Sequence, residues 1–269
     1  MNICFYTSDN PSAANQLNIN HLVTNRPDHN YSFLNIRSTP EPQKTMMDKL
    51  RRKYSELKYN DGRFDFERDL IELKTRLEAH IAPIDKKSFR QGYAGAVNDD
   101  LSVQFLTRVQ PDIIIQCGAG IMKPCTFGLA RLGTINLHHG IMPEVRGIES
   151  TFWCLFYGIK DKIGVSCHFI DENLDTGAVI AQSYLNTKAT SFTDIQTENY
   201  LMGRDVLVKS IDILNQGGYT IKSLGEIPSY YFGNVNPFLY YALKKRNFAP
   251  LMKISDKAFR MKEKKYLEF

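Results

Sequence analysis

Long hydrophobic runs are missing from this 269-residue sequence; no stretch approaches the roughly 20 apolar residues that a membrane-spanning helix requires. The first apolar run, Ile3-Cys4-Phe5-Tyr6, is short and has no basic flank before it, so it does not read as a secretory signal. Cysteine is scarce. Cys4, Cys117, Cys125, Cys154 and Cys167 are odd in number, scattered and free of C-x-x-C spacing, which argues against a disulfide framework and against a zinc site. They read as reduced cytosolic thiols, mostly structural. Internal repeats and low-complexity segments are also missing. No charge excess of one sign extends along the chain. The net +5 comes from the end, where nine lysines and arginines between Lys244 and Lys265 outweigh Asp256 and Glu263 to give +7, leaving −2 for the rest. Such a tail is a solvated amphipathic face, a nucleic-acid or membrane patch, or a collector of an anionic substrate.

What is present is ordinary globular material: 43% hydrophobic residues in a chain long enough for a substantial core. Residues 2–7 form an apolar strand ending in the turn cluster S-D-N-P-S, which leads into a helix. Tyr31–Ile36 is a second strand. Met46, Met47, Leu50, Tyr54 and Leu57 recur at helical spacing, and after Asp61-Gly62 so do Phe66, Leu70, Leu73, Leu77 and Ile81, with Pro83 closing the helix; both stripes are expected to be core. A loop over Gly92–Asp99 precedes a helix through Leu106. Ile113–Cys117 has the unbroken apolar character of a central parallel strand covered on both faces. Gly118-Ala119-Gly120 ends it, a short helix follows, and Gly133–His138 is the next strand. Ile148–Tyr157 reads as helix, Ile163–Ile170 and Ala178–Tyr184 as strands, and Ser191–Asn215 as a long helix stopped by Gly217-Gly218. Alternating strands and helices predict an α/β, doubly wound, mostly parallel core whose ligands gather at the carboxyl ends of the strands.

The chemistry concentrates in Ile135–Gly147, I-N-L-H-H-G-I-M-P-E-V-R-G. Strand side chains alternate, so Asn136 and His138 project to one face while Leu137 and His139 face away. An amide N–H beside an imidazolium is what a developing oxyanion requires in acyl transfer. A third group must orient the imidazole or take up a proton. The polar candidates in the following strand-loop unit are His168, Asp171, Glu172 and Asp175, the last placed just before Thr176-Gly177. Taken singly, each has a dull alternative: Asn136 caps a turn, His138 is a satisfied strand-end histidine, and Asp175 holds the turn.

Together, N-L-H-H-G-I-M-P-E-V-R-G, Trp153 and G-V-S-C-H-F-I-D-E-N-L-D-T-G-A-V-I resemble the formyltransferase family that uses 10-formyltetrahydrofolate. That family is marked by N-x-H, a P-x-x-R-G loop and an L-D-x-G loop, all here in order. The resemblance spans about Pro111 to Gln182 and, more weakly, the first strand. It implies a Rossmann-like catalytic domain over 1–218 with a helical insertion at about 42–83, and a small C-terminal extension over 219–269. It places the family's catalytic residues on Asn136, His138 and Asp175, with direct attack of an amine on the formyl carbon, no covalent enzyme intermediate and no metal. The pterin is expected in an apolar slot against Gly120, Ile121 and Met122 and the segment containing Ile170, Asp171 and Leu174.

Family members differ in the amine they accept. Methionyl-tRNA formyltransferases carry a sizeable C-terminal barrel, whereas 94 residues follow Asp175 here and the long helix occupies many of them; a tRNA partner is therefore not expected. Glycinamide ribonucleotide transformylases have a glycine-rich phosphate loop where this chain has Asp9 and Pro11. The deformylase of the family brings an extra N-terminal regulatory domain. The H-H-G-I-M-P-E-V-R-G loop and the aromatic extension are most similar to sugar N-formyltransferases, implying an amino sugar on a nucleotide as acceptor and a cytoplasmic homodimer in lipopolysaccharide O-antigen biosynthesis. Ser8, Asn10, Arg146, Glu149 and Trp153 are the acceptor-binding candidates, with Arg146 either facing the acceptor or bracing its loop. Tyr230, Tyr231, Phe232 and Tyr240 are candidates for a nucleobase stack, core or dimer face.

Overall fold

A computed structural model of the chain describes residues 1–37, 46–47, 63–251 and 260–269. Its first unit is Asn2–Ser8 (β1), Ala13–Asn25 (α1) and Asn30–Ile36 (β2). Strand periodicity explains how β1 is covered on both faces: Ile3 and Phe5 enter one buried cluster, while Cys4 and Tyr6 enter another on the opposite side. Ser12 caps α1 by accepting from the Asn15 backbone N–H, which satisfies one of the donors that every helix start leaves open.

Arg63–Glu78 (α2) buries Leu73 and Leu77 but leaves Leu70 partly exposed. It ends before Ile81, earlier than the apolar spacing predicts, because His80 N–H turns to the Leu77 carbonyl in a tightened final turn. Of the preceding stripe, Met46 and Met47 are exposed, belonging to no buried cluster, and Leu50, Tyr54 and Leu57 lie outside the described residues. Arg90–Ala94 (β3) is a strand where a loop was expected. Its Gly92 imitates a loop signal, yet a Cβ there would sit 2.3 Å from the Phe105 ring, so the glycine admits the following helix to the sheet.

Next come Asp100–Val109 (α3), Ile113–Cys117 (β4), Pro124–Phe127 (α4) and Gly133–His138 (β5). Val145–Gly147 (β6), Ser150–Tyr157 (α5), Gly164–Phe169 (β7) and Val179–Tyr184 (β8) lead to Phe192–Gln216 (α6). Thr220–Phe232 (β9), Pro237–Lys245 (α7) and Arg260–Glu268 (β10) complete the described elements. The sheet order is β3-β2-β1-β4-β5-β7-β8-β10-β9-β6. From β3 to β5 all neighbours are parallel, and β7 then runs antiparallel to β5. Helices α1 and α6 cover one face through Leu22, Val206 and Leu207, and α3 covers the other through Phe105 and Leu106. The direction of winding reverses between β1 and β4, a topological switch point.

Strands β6, β9 and β10 were not legible in the sequence. The first seven residues of β9 are all exposed, so this two-stranded ribbon carries no apolar alternation to reveal it. Helix α7 packs on α2, where the Asp69 carboxylate accepts from the Tyr240 hydroxyl and from Lys244 Nζ. Arg76 of α2 pairs with Asp194 of α6. No helix among the described residues is long and apolar enough to cross a membrane.

Candidate active site

At the carboxyl ends of β4 and β5 a cavity of about 430 Å³ opens. Asn136, His138, His168 and Asp175 form its polar end, and Ile121, Met122, Ile148, Ile170 and Leu174 supply apolar walls. Gly120 and Asp171 also line it, so Asn136, His138, Asp175 and all six residues expected against the pterin border one space. A cavity of this size, apolar with a few convergent polar groups, suits a flat heterocycle.

The polar end can be built atom by atom. His138 lies on β5, 7% exposed, with Nε2 2.9 Å from the Val145 carbonyl. A carbonyl oxygen only accepts, so Nε2 carries the hydrogen and Nδ1 faces Asp175 Oδ2 at 3.9 Å. His168 pairs with Asn136 across the antiparallel β5–β7 ladder, a neighbour that sequence spacing does not reveal. Its Nδ1 donates to the Phe169 carbonyl at 2.7 Å. Burial drives this imidazole down to about 4 even though Asp175 pulls the other way, so it is neutral and its Nε2 can accept. That nitrogen lies 3.3 Å from Asn136 Nδ2. The contact fixes the amide with its nitrogen toward His168 and leaves the second amide hydrogen for another acceptor.

Asp175 takes the left-handed conformation, φ 50°, at the tip of its loop, a position that non-glycine residues occupy at a cost and that recurs at functional sites. Its Oδ2 accepts from the Gly147 backbone N–H at 2.9 Å, and Arg146 Nη2 donates to the Leu174 carbonyl at 2.8 Å. The P-x-x-R-G and L-D-x-G segments are therefore fastened to each other. Their glycines admit neighbouring strands: a Cβ on Gly147 would lie 2.0 Å from the Phe232 carbonyl oxygen, and one on Gly177 1.8 Å from that of Phe169. Arg146 braces the loop before Asp175, and its guanidinium also lies over the Tyr231 ring. Asp171 accepts from the Asn173 N–H and the Thr176 hydroxyl, which folds the loop on itself.

Gln116, a polar residue interrupting the apolar β4 run, was overlooked in the sequence. Its Nε2 donates to the Gly120 carbonyl and its Oε1 accepts from the Gly118 N–H, strapping the loop that borders the cavity. Ile121 is 70% exposed there, whereas Met122 is buried.

The remaining acceptor candidates lie elsewhere. Ser8 ends β1, and Asn10 lines a groove between α1 and α2. Glu149 stands at the start of α5 with positive φ, its carboxyl pushed up by burial. Trp153 donates from Nε1 to the Gly233 carbonyl and stacks on Phe232 and Tyr157. Tyr240 is fully buried, and Tyr231, 59% exposed, borders the cavity. The cysteines offer no nucleophile here: burial pushes Cys117 and Cys167 up to about 12. Among the described residues, no group of three or more histidine, cysteine, aspartate or glutamate side chains is arranged to hold a metal ion.

Comparison with known proteins gives one consistent family. Residues 72–202 match the formyl transferase family. GDP-perosamine N-formyltransferase of Brucella melitensis biotype 1 is 31% identical over 141 residues, covering 51% of this chain and 52% of that one. Methionyl-tRNA formyltransferase of Chlorobium limicola is 28% identical over 145 residues, covering 52% and 45%. The chain thus spans about half the length of the curated relatives it matches. Among solved structures, a sugar N-formyltransferase from Shewanella sp FDAARGOS_354 shares the fold with a TM-score of 0.53 and 16% identity, over 87% of this chain and 76% of that one.

Proposed function

We propose that this chain, whose residues 72–202 match the formyl transferase family, moves a formyl group from 10-formyltetrahydrofolate to the primary amine of a nucleotide-linked amino sugar. The carrying observation is the meeting of Asn136, His138 and Asp175 at the polar end of one apolar-walled cavity. The folate supplies an activated formyl group; its pterin lies against Gly120, Ile121, Met122, Ile170, Asp171 and Leu174. The amine nitrogen bonds to the formyl carbon while the carbon–N10 bond breaks. Asn136, its orientation held by His168, gives its free amide hydrogen to the oxygen that gains charge, and the His138 imidazolium stabilises the same oxygen. Asp175 faces that imidazolium and relays the proton leaving the amine, directly or through water, to N10 of the departing folate.

The acceptor class is supported by the likeness to the Brucella GDP-perosamine enzyme, the higher identity of the two curated relatives described. On this reading the protein works as a cytoplasmic homodimer joined through residues 219–269. A methionyl-tRNA acceptor is the second reading, favoured by the Chlorobium relative. The test is mass spectrometry of the protein with 10-formyltetrahydrofolate and a panel of acceptors: dTDP-, GDP- and UDP-linked amino sugars, glycinamide ribonucleotide, methionyl-tRNA, and none. Formyl gain on a nucleotide sugar is expected. Formyl gain on methionyl-tRNA alone, or formyl loss without an acceptor, overturns the assignment.

A further inference from the structure

A second cavity, of about 230 Å³, lies between α1, β4, β5 and α6. Asn136 and Gln116 line both this cavity and the first one. A reaction that joins two substrates needs two approaches to one catalytic group, and Asn136 borders both spaces.

The lining of this second cavity is selective. No aspartate, glutamate, lysine or arginine contributes to it. Asn15, Asn18, His139 and Tyr200 supply its polar surface. Asn18 is 6% exposed, and its Oδ1 has no hydrogen-bond partner; neither has the buried Nδ1 of His139. Burial pushes His139 down to about 3 and Tyr200 up to about 12, so both are uncharged at neutral pH. The Tyr200 ring packs edge-on against His139, with centroids 4.2 Å apart. Buried polar atoms without partners are rare in native proteins, and these two stand beside the cavity lining. A carboxylate or phosphate would meet no cation here, and a thioether would leave the amides unmet.

We propose that Asn18, His139 and Tyr200 form a specificity subsite for an uncharged ring bearing hydroxyl groups, the part of the acceptor that carries the reacting amine. The assignment rests on the nucleotide-sugar reading and goes beyond it by naming residues and the chemistry they select. Ser12, Ala14 and Tyr200 continue this cavity into a groove of about 550 Å³ between α1 and α2, where the first turn of α1 and Lys74, which pairs with Glu78 of the same groove at 3.7 Å, face the charged remainder of the acceptor. Helix α2 is pinned for this task by Arg76 to Asp194 and by Asp69 to Tyr240 and Lys244.

The test uses the 269-residue protein, the nucleotide sugar that the wild type formylates, and a set of analogues each lacking one ring hydroxyl, with the variants Asn18→Leu and Tyr200→Phe. Acceptor KM is expected to rise about tenfold in each variant, the loss of one neutral hydrogen bond, while donor KM stays within about twofold. With one of the deoxy analogues the variant and wild type converge. The thermal midpoint of Asn18→Leu stays level or rises, because a buried acceptor without a partner is removed. Unchanged acceptor KM in both variants, or an equal rise in donor KM, overturns the subsite while leaving the transferase reading intact. A wild-type protein that formylates no nucleotide sugar overturns both.

Discussion

Replacing Asp175 by asparagine isolates charge from shape. The asparagine keeps the side-chain volume and an oxygen able to accept from the Gly147 N–H, so the tie between the two motif loops survives. What disappears is the negative charge facing His138 Nδ1 at 3.9 Å, and with it the carboxylate that accepts the amine proton. At an effective dielectric constant of about 20, unit charges at that separation attract by about 4 kcal/mol. Each 1.36 kcal/mol is a decade in rate, so kcat should fall by roughly 10³-fold. Since the full imidazolium is needed only as the oxyanion develops, KM for donor and acceptor should each move by less than about threefold. Steady-state formyl transfer, followed by mass spectrometry of the acceptor across a range of both substrates, gives the two parameters separately. A kcat within tenfold of the wild type, or a loss carried entirely by donor KM, refutes the electrostatic pairing of Asp175 with His138.

Two further outcomes concern stability. Burial holds His168 at about 4 and His139 at about 3, both below the ordinary 6.5. As pH falls below about 6.5 the unfolded chain takes up protons that the folded chain refuses, so stability declines toward pH 4, by roughly 3 kcal/mol for His168 alone. Urea titrations at pH 7.5 and 4.5 should show this slope flattened in His168→Gln, and an unaltered slope contradicts it. Asp69→Ala removes the acceptor shared by Tyr240 and Lys244 between α2 and α7, and should cost about 2 kcal/mol in urea unfolding; a midpoint unchanged from wild type would show that the tie contributes nothing.

The parallel half of the fold was readable because its strands are long apolar runs or clear alternations bounded by turn residues. Gly133–His138 falls where its sequence places it, and the long helix differs from its expected span by one residue at each end. Edge strands escaped for physical reasons. Arg90–Ala94 has a glycine at its centre, β6 is three residues inside a motif loop, and the β9–β10 ribbon has an outer portion in solvent. At the candidate site, motif order identified the residues contributed by β5 and the L-D-x-G loop. Alternation put Asn136 and His138 on one face of β5 and His139 on the other, where it packs against Tyr200. His168 as the partner of Asn136 was not legible, since an antiparallel pairing over 32 positions leaves no local mark. Nor was the bracing of Leu174 by Arg146, which depends on how two loops meet.

The central claim is that Asn136 acts on the transition state and not on folate binding. Rapid-quench formyl transfer and equilibrium donor binding, measured side by side for wild type and Asn136→Ala, test it most directly. The account predicts transfer slowed by about 10²- to 10³-fold with donor affinity within about threefold, the cost of removing one oxyanion donor. Near-normal transfer in Asn136→Ala, or a loss matched by equally weakened donor binding, would contradict it.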